Sequence, residues 1–571
     1  MATNFDGHVL IQPQARTAFN TSGLAPQTPA QAAPHTVVLI GPANQGPNQL
    51  VTIGSIQDIS LNLGIDSDLA NAAALALNPA PSGGANPLKV WNVNPTTQGT
   101  LSLLSAGAVA QIDATTTRYG LAANQIKVAV SAGTTAGYQV TVADDYSGQS
   151  ITQNNIALNV LSIWYSGTGT SPTYTVSDTS LVLAAVTSDT GGTIDFTNAA
   201  TVQQLVNQIG QLTGWNATVL DPNGNDATTA LFDNVATATA VGTTSTTATP
   251  LTANVTAVVR YLNSGVQPWV TAVREAGATA LATTGNWVYA TGGSTGSATT
   301  TDWQNAYTAL QSAEDVLWVV PVSSESTIWA MNQAHCQYMH SLGYGRSGVV
   351  GGALGTTVAT ALANVQALGT RYTDYLVGGL QGTNLQKQPT TFAPYLVAAQ
   401  VVGAEAGLAL NEALTLKPFT ATGLEQTFAY PVVDQLVQGG CLVFKVVNGQ
   451  YVLAKGQSTA AINPAATVDD VQMQAVNETF VIEYGLNLVL NTFVGQPILP
   501  TTAAQVQSAV FDYLKVIGTG PDALIFGYPS ASQIQVTISG TVISVAAPAS
   551  PTVAADFVTA MLSASVDTAA A

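Results

Sequence analysis

Charge is what this sequence has least of. Asp, Glu, Lys and Arg make up 8% of its residues, against about 25% in an ordinary soluble domain. The apolar fraction is 46%, ordinary for a globular protein, so Thr, Ser, Asn, Gln and Gly have taken the place of charge at the surface. Such a surface suits dense packing in an assembly better than free diffusion. The charge that remains is one-sided: 31 acidic residues stand against 13 Lys and Arg, giving a net charge of −18. A chain of that sign repels a phosphate backbone, which excludes nucleic acid as a partner.

Other scarcities narrow the classes further. There are only two cysteines, Cys336 and Cys441, in no C-x-x-C spacing; this excludes a disulfide framework and predicts two reduced core thiols. The opening "MATNFDGHVL" has neither a basic segment nor a long apolar run, so no secretory signal is expected. The most membrane-like stretch, "PYLVAAQVVGAEAGLAL" from Pro394, is broken by Gln400 and Glu405 and predicts a buried helix, with no direct membrane insertion. No glycine-rich loop ends in G-K-[ST], which excludes a P-loop motor. Between Lys127 and Arg260 there is no Lys or Arg at all, while eight Asp occur. They are scattered rather than spaced as a calcium loop, so a solvated surface is expected and no metal or cofactor.

The 571 residues provide for roughly three or four domains. Residues 1–35 read as an extended run, "HVLIQPQARTA" from His8, on a Pro-, Gln- and Ala-rich linker. Residues 36–98 read as a small α/β unit: strand "TVVLIG", a helix in "SDLANAAALALN", strand "PLKVWNV". Residues 99–280 are β-rich, with short β-branched runs between Gly, Ser, Asn and Asp clusters and a helix at "TVQQLVNQIGQL". From about 281 to 420 strands and helices alternate, which implies a largely parallel sheet covered on both faces. The helix "DWQNAYTALQSAE" is given Asp302 as its N-cap, and a helix from Ser324 to Leu342 carries Ile328, Met331, His335, Met339 and Leu342 inward, with Gly343 as C-cap. Residues 421–532 mix strands with two helices. The last stretch, 533–571, opens on "QIQVTISGTVISVA". Ser539-Gly540 is read there as a two-residue hairpin turn, with Ile534, Val536 and Ile538 facing Val545, Ile543 and Thr541.

Two clusters invite chemistry. "GGSTG", Gly292 to Gly296, matches the nucleophile elbow of a serine hydrolase. The helix that follows starts too late for a tight elbow, however, and the only downstream histidines, His335 and His340, lie on the next helix. "HCQYMH", residues 335–340, offers metal-ligand types, but His335 falls on the apolar stripe and no third ligand is near in sequence. Core packing is the reading preferred for it. The termini are more unusual. Both are extended, apolar at alternate positions and joined through proline-containing linkers, and a lone hairpin needs a partner for its face and edges. Strands that reach out complete a neighbour's sheet by strand addition.

Taken in order and spacing, three stretches resemble contractile tail sheath proteins of bacteriophages and related injection machines. They are "VVLIGPANQGPNQLVTIGSIQDISLNLG" with the Ala-rich helix and "PLKVWNV" after it, "GGSTG" ahead of "DWQNAYTALQSAEDVLWVVPV", and "VAAPASPTVAADFV" near the end. In the last, Asp556, Phe557 and Val558 fill the family's acidic-Phe-aliphatic triplet, Asp standing where Glu is common.

The resemblance implies a mixed α/β multidomain fold with a subtilisin-like core and parallel sheet at 281–420, a C-terminal α+β sheath domain at 421–532, a variable outward-facing insertion at 99–280, and strand arms at 1–35 and 533–571. It also implies a non-enzymatic virion tail subunit without cofactor, assembled in the host cytoplasm. Such subunits polymerise as helical hexameric rings around an inner tail tube protein, between baseplate and tail terminator, and contract to drive the tube through a bacterial envelope. The arm residues would then be Val9, Leu10, Ile11, Ile534, Val536, Ile538, Ile543, Val545, Phe557 and Val558; the tube-facing residues stay open, with the helix near Asp469 to Asn491 as a candidate. On the residues alone, a serine hydrolase using Ser294 and a β-rich adhesin or surface-layer protein stay open as rivals.

Overall fold

The computed structural model describes residues 3–5, 8–10, 34–80, 83–186, 191–220 and 222–555. They fall into two compact units, one made of residues 1–95 with 297–571 and the other of 96–296.

The first unit is organised by a strand buried on both faces. Thr36–Gly41 (TVVLIG) runs parallel to Leu88–Asn92 on one side and to Val316–Pro321 on the other, with Leu50–Ile53 antiparallel at the margin. A run of β-branched and apolar residues without alternation is what a doubly covered parallel strand requires. A second sheet places Gly348–Gly351, Thr373–Val377 and Cys441–Val447 in parallel, followed by antiparallel Gln450–Leu453 and Pro418–Phe419. A bridge between Trp318 and Ser347 joins the two sheets, with Val319 N donating to Ser347 O (2.9 Å) and Ser347 N to Leu317 O (3.0 Å).

Alternate side chains of these strands enter different cores. Val37, Leu39, Val320, Val349, Leu376 and Leu442 pack against the helices Asp68–Leu77, Pro394–Ala406, Met473–Asn491 and Thr502–Val516. Val38, Ile40 and Val319 pack instead against Trp303, Ala306 and Tyr307. Val350, Tyr375 and Val443 meet Ala361, Val365 and Leu436. Strand and helix alternation thus yields a parallel sheet covered on both faces.

Three local expectations hold and one changes. The apolar helix from Pro394 is buried all round, and Gln400 inside it donates from Nε2 to the carbonyls of Pro79 and Thr420, both at 2.9 Å. Among the described residues no helix is long and apolar enough to cross a membrane. Cys336 and Cys441 are both buried and unpaired with each other. Ile328, His335 and Met339 face inward on Ser326–Ser341, and Gly343 ends that helix with φ +89°. Asp302, however, is not the N-cap. The helix spans Thr300–Leu310 with Thr299 as cap, and the Asp302 carboxylate reaches back to accept from Thr299 N (2.7 Å) and Oγ1 (2.6 Å). An acid three positions inside the helix closes a capping box with the preceding Thr, which places the start three residues earlier.

The second unit is built of antiparallel sheets. Two hydrophobic cores lie within it, one around Ile112, Val128, Val142 and Trp269, the other around Leu161, Tyr165, Leu183 and Phe196. The helix Val202–Ile209 is capped by a Thr201–Gln204 box, and Asn254–Leu262 is the second helix. Five of the acids of the Lys-free stretch bond within the unit. Asp144 pairs with Arg118 (2.7 Å), Asp145 with Lys127 (2.7 Å), Asp178 with Arg274 (2.8 Å) and Asp226 with Arg260 (2.9 Å). Asp233 instead accepts from Asn254 N (2.7 Å) and Val255 N (3.0 Å) at the start of a helix.

Close helix packing in the first unit makes one substitution decisive. A Cβ on Gly403 would lie 2.3 Å from the Ala76 carbonyl oxygen of the facing helix. Helix propensity alone favours Gly403→Ala by about 1 kcal/mol, while forcing the helices apart costs roughly 1–3 kcal/mol. The clash should win, so the alanine variant is expected to unfold at lower urea concentration than the parent with an unchanged slope. A stabilised variant would show that the helices do not approach so closely.

Candidate functional site

The terminal strands are where the sequence places function. At the N-terminus Thr3–Phe5 and His8–Leu10 form an antiparallel pair, with Val9 opposite Asn4 and Leu10 opposite Thr3. The run expected to be extended from His8 therefore begins as half of a hairpin. Ile11 lies outside the described residues, as do Phe557 and Val558.

At the C-terminus Gln535–Ser539 pairs with Val542–Ala546, Val536 facing Val545, Ile538 facing Ile543 and Ser539 facing Val542. The two-residue turn is therefore Gly540-Thr541, one position later than expected. Gly540 has φ +60°, and the first central position of a mirror-image hairpin turn is one that glycine fills without strain. Shifting the turn by one residue moves each partner by two, so the same side chains share a face.

That face is covered by the chain itself. Ile534 is 1% exposed, and Val536, Ile543 and Val545 pack against the main core of the first unit, while Ile538 is 36% exposed. Gln507 holds the approach to the hairpin, its Nε2 donating to the carbonyls of Ala531 and Ile534, both at 2.7 Å. Among the described residues both terminal hairpins are two-stranded sheets whose strands pair only with each other. Each accordingly retains outer edges not joined to a larger sheet.

Ser294, the residue of the catalytic alternative, is bonded to a threonine. Its Oγ lies 2.9 Å from Thr97 Oγ1, and its backbone N donates to that same hydroxyl at 2.9 Å. The downstream histidines are engaged by other groups. His335 Nε2 lies 2.8 Å from the Arg346 guanidinium, and burial with this cation lowers His335 to about 3. His340 bridges Tyr372 OH and Glu483 Oε2, both at 2.6 Å. Burial pushes the Cys336 thiol up to about 12. The "HCQYMH" side chains thus serve separate partners, and among the described residues no group of three His, Cys, Asp or Glu is placed to hold a metal.

The helix Met473–Asn491, from its sequence a candidate to face a tube, is buried over most of its circumference from Met473 to Glu483. Its C-terminal end reaches the surface, where Leu488 is 44% exposed. Its Gln, Asn and Glu residues suggest a wetted face, yet they bond inward: Asn477 Nδ2 donates to Glu405 Oε1 (2.9 Å), and Asn487 Nδ2 to Gly343 O (3.1 Å).

The fold built on this frame is that of sheath tail proteins. The solved structure from Listeria innocua superposes with a TM-score of 0.56 at 11% identity, covering 92% of this chain and 93% of that one. The one from Desulfitobacterium hafniense does so with 0.54 at 14% identity, covering 94% and 96%. In sequence the chain is similar to the tail sheath protein of Bacillus phage SP01, 22% identical over 95% of this chain and 93% of the relative. It is likewise 22% identical to a putative tail sheath protein of Enterococcus phage phiEF24C, over 95% and 94%. No family model matches the chain. The resemblance to contractile tail sheath proteins thus spans nearly the whole sequence.

The His335–Arg346 contact has a measurable consequence. The folded state refuses a proton that the unfolded chain accepts near pH 6.5. The stability this lends is present above that pH and is lost as pH falls toward about 3. The stability of the His335→Gln variant should fall less steeply between pH 6.5 and 5, by up to about 1.4 kcal/mol per unit. Parallel slopes in urea titrations of variant and parent would refute the buried neutral imidazole.

Proposed function

We propose that this chain is the structural, non-enzymatic subunit of a contractile tail sheath. It would polymerise as helical hexameric rings around an inner tube, between baseplate and tail terminator in a virion tail, and contract to drive that tube through a bacterial envelope. The likeness to curated tail sheath proteins over 95% of the chain carries this reading. The charge-poor surface supports it, because contacts that must be remade during contraction then involve few buried ion pairs.

The terminal arms supply the links. Strands from residues near Val9 and from Phe557 and Val558 would add to sheets of neighbouring copies, each main-chain hydrogen bond contributing roughly 0.5–1.5 kcal/mol. The subtilisin-like core at 281–420 is a scaffold in this reading, and the β-rich unit faces outward. The work comes from a metastable lattice rather than a nucleotide. Reversing a two-state equilibrium takes about 5.5 kcal/mol in total, so a ring of six switching together needs only about 1 kcal/mol of bias from each subunit.

Two truncations test the reading. Removing residues 556–571 should leave circular dichroism and melting temperature nearly unchanged while abolishing long tubes in negative-stain micrographs; regular polymers from the shortened chain would refute the arm. The second concerns residues 96–296. Asn94 Oδ1 accepts from Ala298 N at 3.1 Å, so the two ends that this unit joins lie side by side and a short Gly-Ser linker can replace it. Tubes are expected to form without it, and loss of assembly in a folded variant would count against its outward placement.

A further inference from the structure

Beyond the hairpin the chain turns back over its own body. Ser550 and Pro551 are buried, Pro551 bridges to Ile525, and Thr552 N donates to Leu524 O (3.2 Å). Side chains at the start of the Met473–Asn491 helix then hold the segment much as a neighbouring strand would. Gln472 donates from Nε2 to Ala554 O (3.1 Å) and accepts at Oε1 from Ala554 N (2.9 Å). Gln474 Nε2 donates to Thr552 Oγ1 (2.8 Å) and to Glu478 Oε1 (3.0 Å), and Thr552 Oγ1 donates to that same carboxyl oxygen. Glu478 is 0% exposed, and among the described residues its Oε2 has no hydrogen-bond partner.

We propose that residues 549–555 are a releasable latch, held on this helix while the Glu478 carboxyl is neutral and freed when it loses its proton to solvent. The two partners of that carboxyl, Gln474 and Thr552, are uncharged. On its own helix Glu483 is bonded to His340 of Ser326–Ser341. Glu405 of Pro394–Ala406 is bonded to Asn477, and Arg371 pairs with Asp470 of Val468–Val471 at 3.3 Å. Asp469, Asp512, Lys515 and Asp522 are further charged groups on adjoining segments among the described residues. None of these forms an ion pair with Glu478. An ionised carboxylate in that position would be desolvated and uncompensated.

Burial therefore pushes Glu478 well above the ordinary carboxylate range, outweighing the hydrogen bonds that favour its charged form. The hold is fully present below the unfolded value of about pH 4.3 and is lost as pH rises from there through the raised folded value. Of the groups around the carboxyl, Thr552 belongs to neither sheet nor helix, so lifting its segment is the least disruptive way to let water in. Seven freed residues extend by roughly 3.3 Å each, adding about 20 Å to the reach of residues 556–571. This consequence for arm exchange rests on the sheath reading; the latch itself does not.

Hydrogen exchange on the full-length, unassembled protein between pH 5 and 9, corrected for the intrinsic pH dependence of exchange, reads the latch directly. Protection at Thr552 and Ala554 should fall at least tenfold across that range in the parent, and Glu478→Gln should hold it constant. Flat protection in the parent, or the parent's pH response persisting in Glu478→Gln, overturns the proposal. Thr552→Val provides a second check, with fast exchange expected at every pH; parent-like protection in it would equally refute the latch. Protection of Thr36–Gly41 reports folding of each variant. Tube formation is not read, so a failure of the sheath reading would leave this result unchanged.

Discussion

The pairing of Thr36–Gly41 between Leu88–Asn92 and Val316–Pro321 is the constraint on which the first unit depends. It joins segments far apart in sequence, and residues 96–296 are the excursion between them. A parallel strand must be brought beside its neighbour by a crossover, and closing such a long loop costs only slightly more than closing a short one. The junction is reinforced by one of the chain's few ion pairs: Asp315 accepts from Lys89 Nζ (2.7 Å) and Thr36 Oγ1 (2.7 Å), while its carbonyl receives His35 N and Thr36 N.

Scarcity of charge at the surface has a counterpart within the core. Asp374, Glu405 and Glu478 are all buried. Burial raises Glu405 to about 7 and Asp374 well above its ordinary range, with Glu405 adding to the effect on Asp374. Carboxyl groups so placed contribute as neutral hydrogen-bonding groups, and ionising them opposes folding. Their sign is opposite to that of His335, which resists protonation. The core is therefore squeezed from both sides of neutrality by groups in the same unit.

How much of this was legible follows from the range over which each signal acts. The alternation of strand and helix after residue 297, the buried helix at Pro394 and the inward stripe at His335 are readable, because periodicity reports which face is covered, whereas Val288–Tyr289, read as the first strand of that alternation, pairs with Ile126–Ala132 of the β-rich unit. Asp302 was misplaced by three residues because the N-cap and third positions of a capping box draw on overlapping residue types. The hairpin turn slipped by one because Ser-Gly and Gly-Thr are both acceptable, and the pleat kept the apolar face either way. The long helix hides more of its polar residues than its sequence suggests. Gln472, Gln474, Asn477 and Glu478 look solvated until Pro551 to Ala554, about 75 residues on, are found bonded to three of them. Nothing local in the sequence announces that pairing.

The C-terminal hairpin resolves a tension in the idea of strand exchange. A two-stranded sheet is marginal in water, and a strand held ready for a neighbour must still be ordered. Here Val536, Ile543 and Val545 secure one face to the body of the chain, which fixes the hairpin without using its outer edges. Backbone groups along such an edge remain available to a further strand. An incoming strand then meets a preformed template, so most of the ordering cost falls on the arriving segment alone. On the proposed sheath reading, the hairpin is thus better suited to receive a strand than to travel as one, and the travelling role would fall to the residues beyond 555.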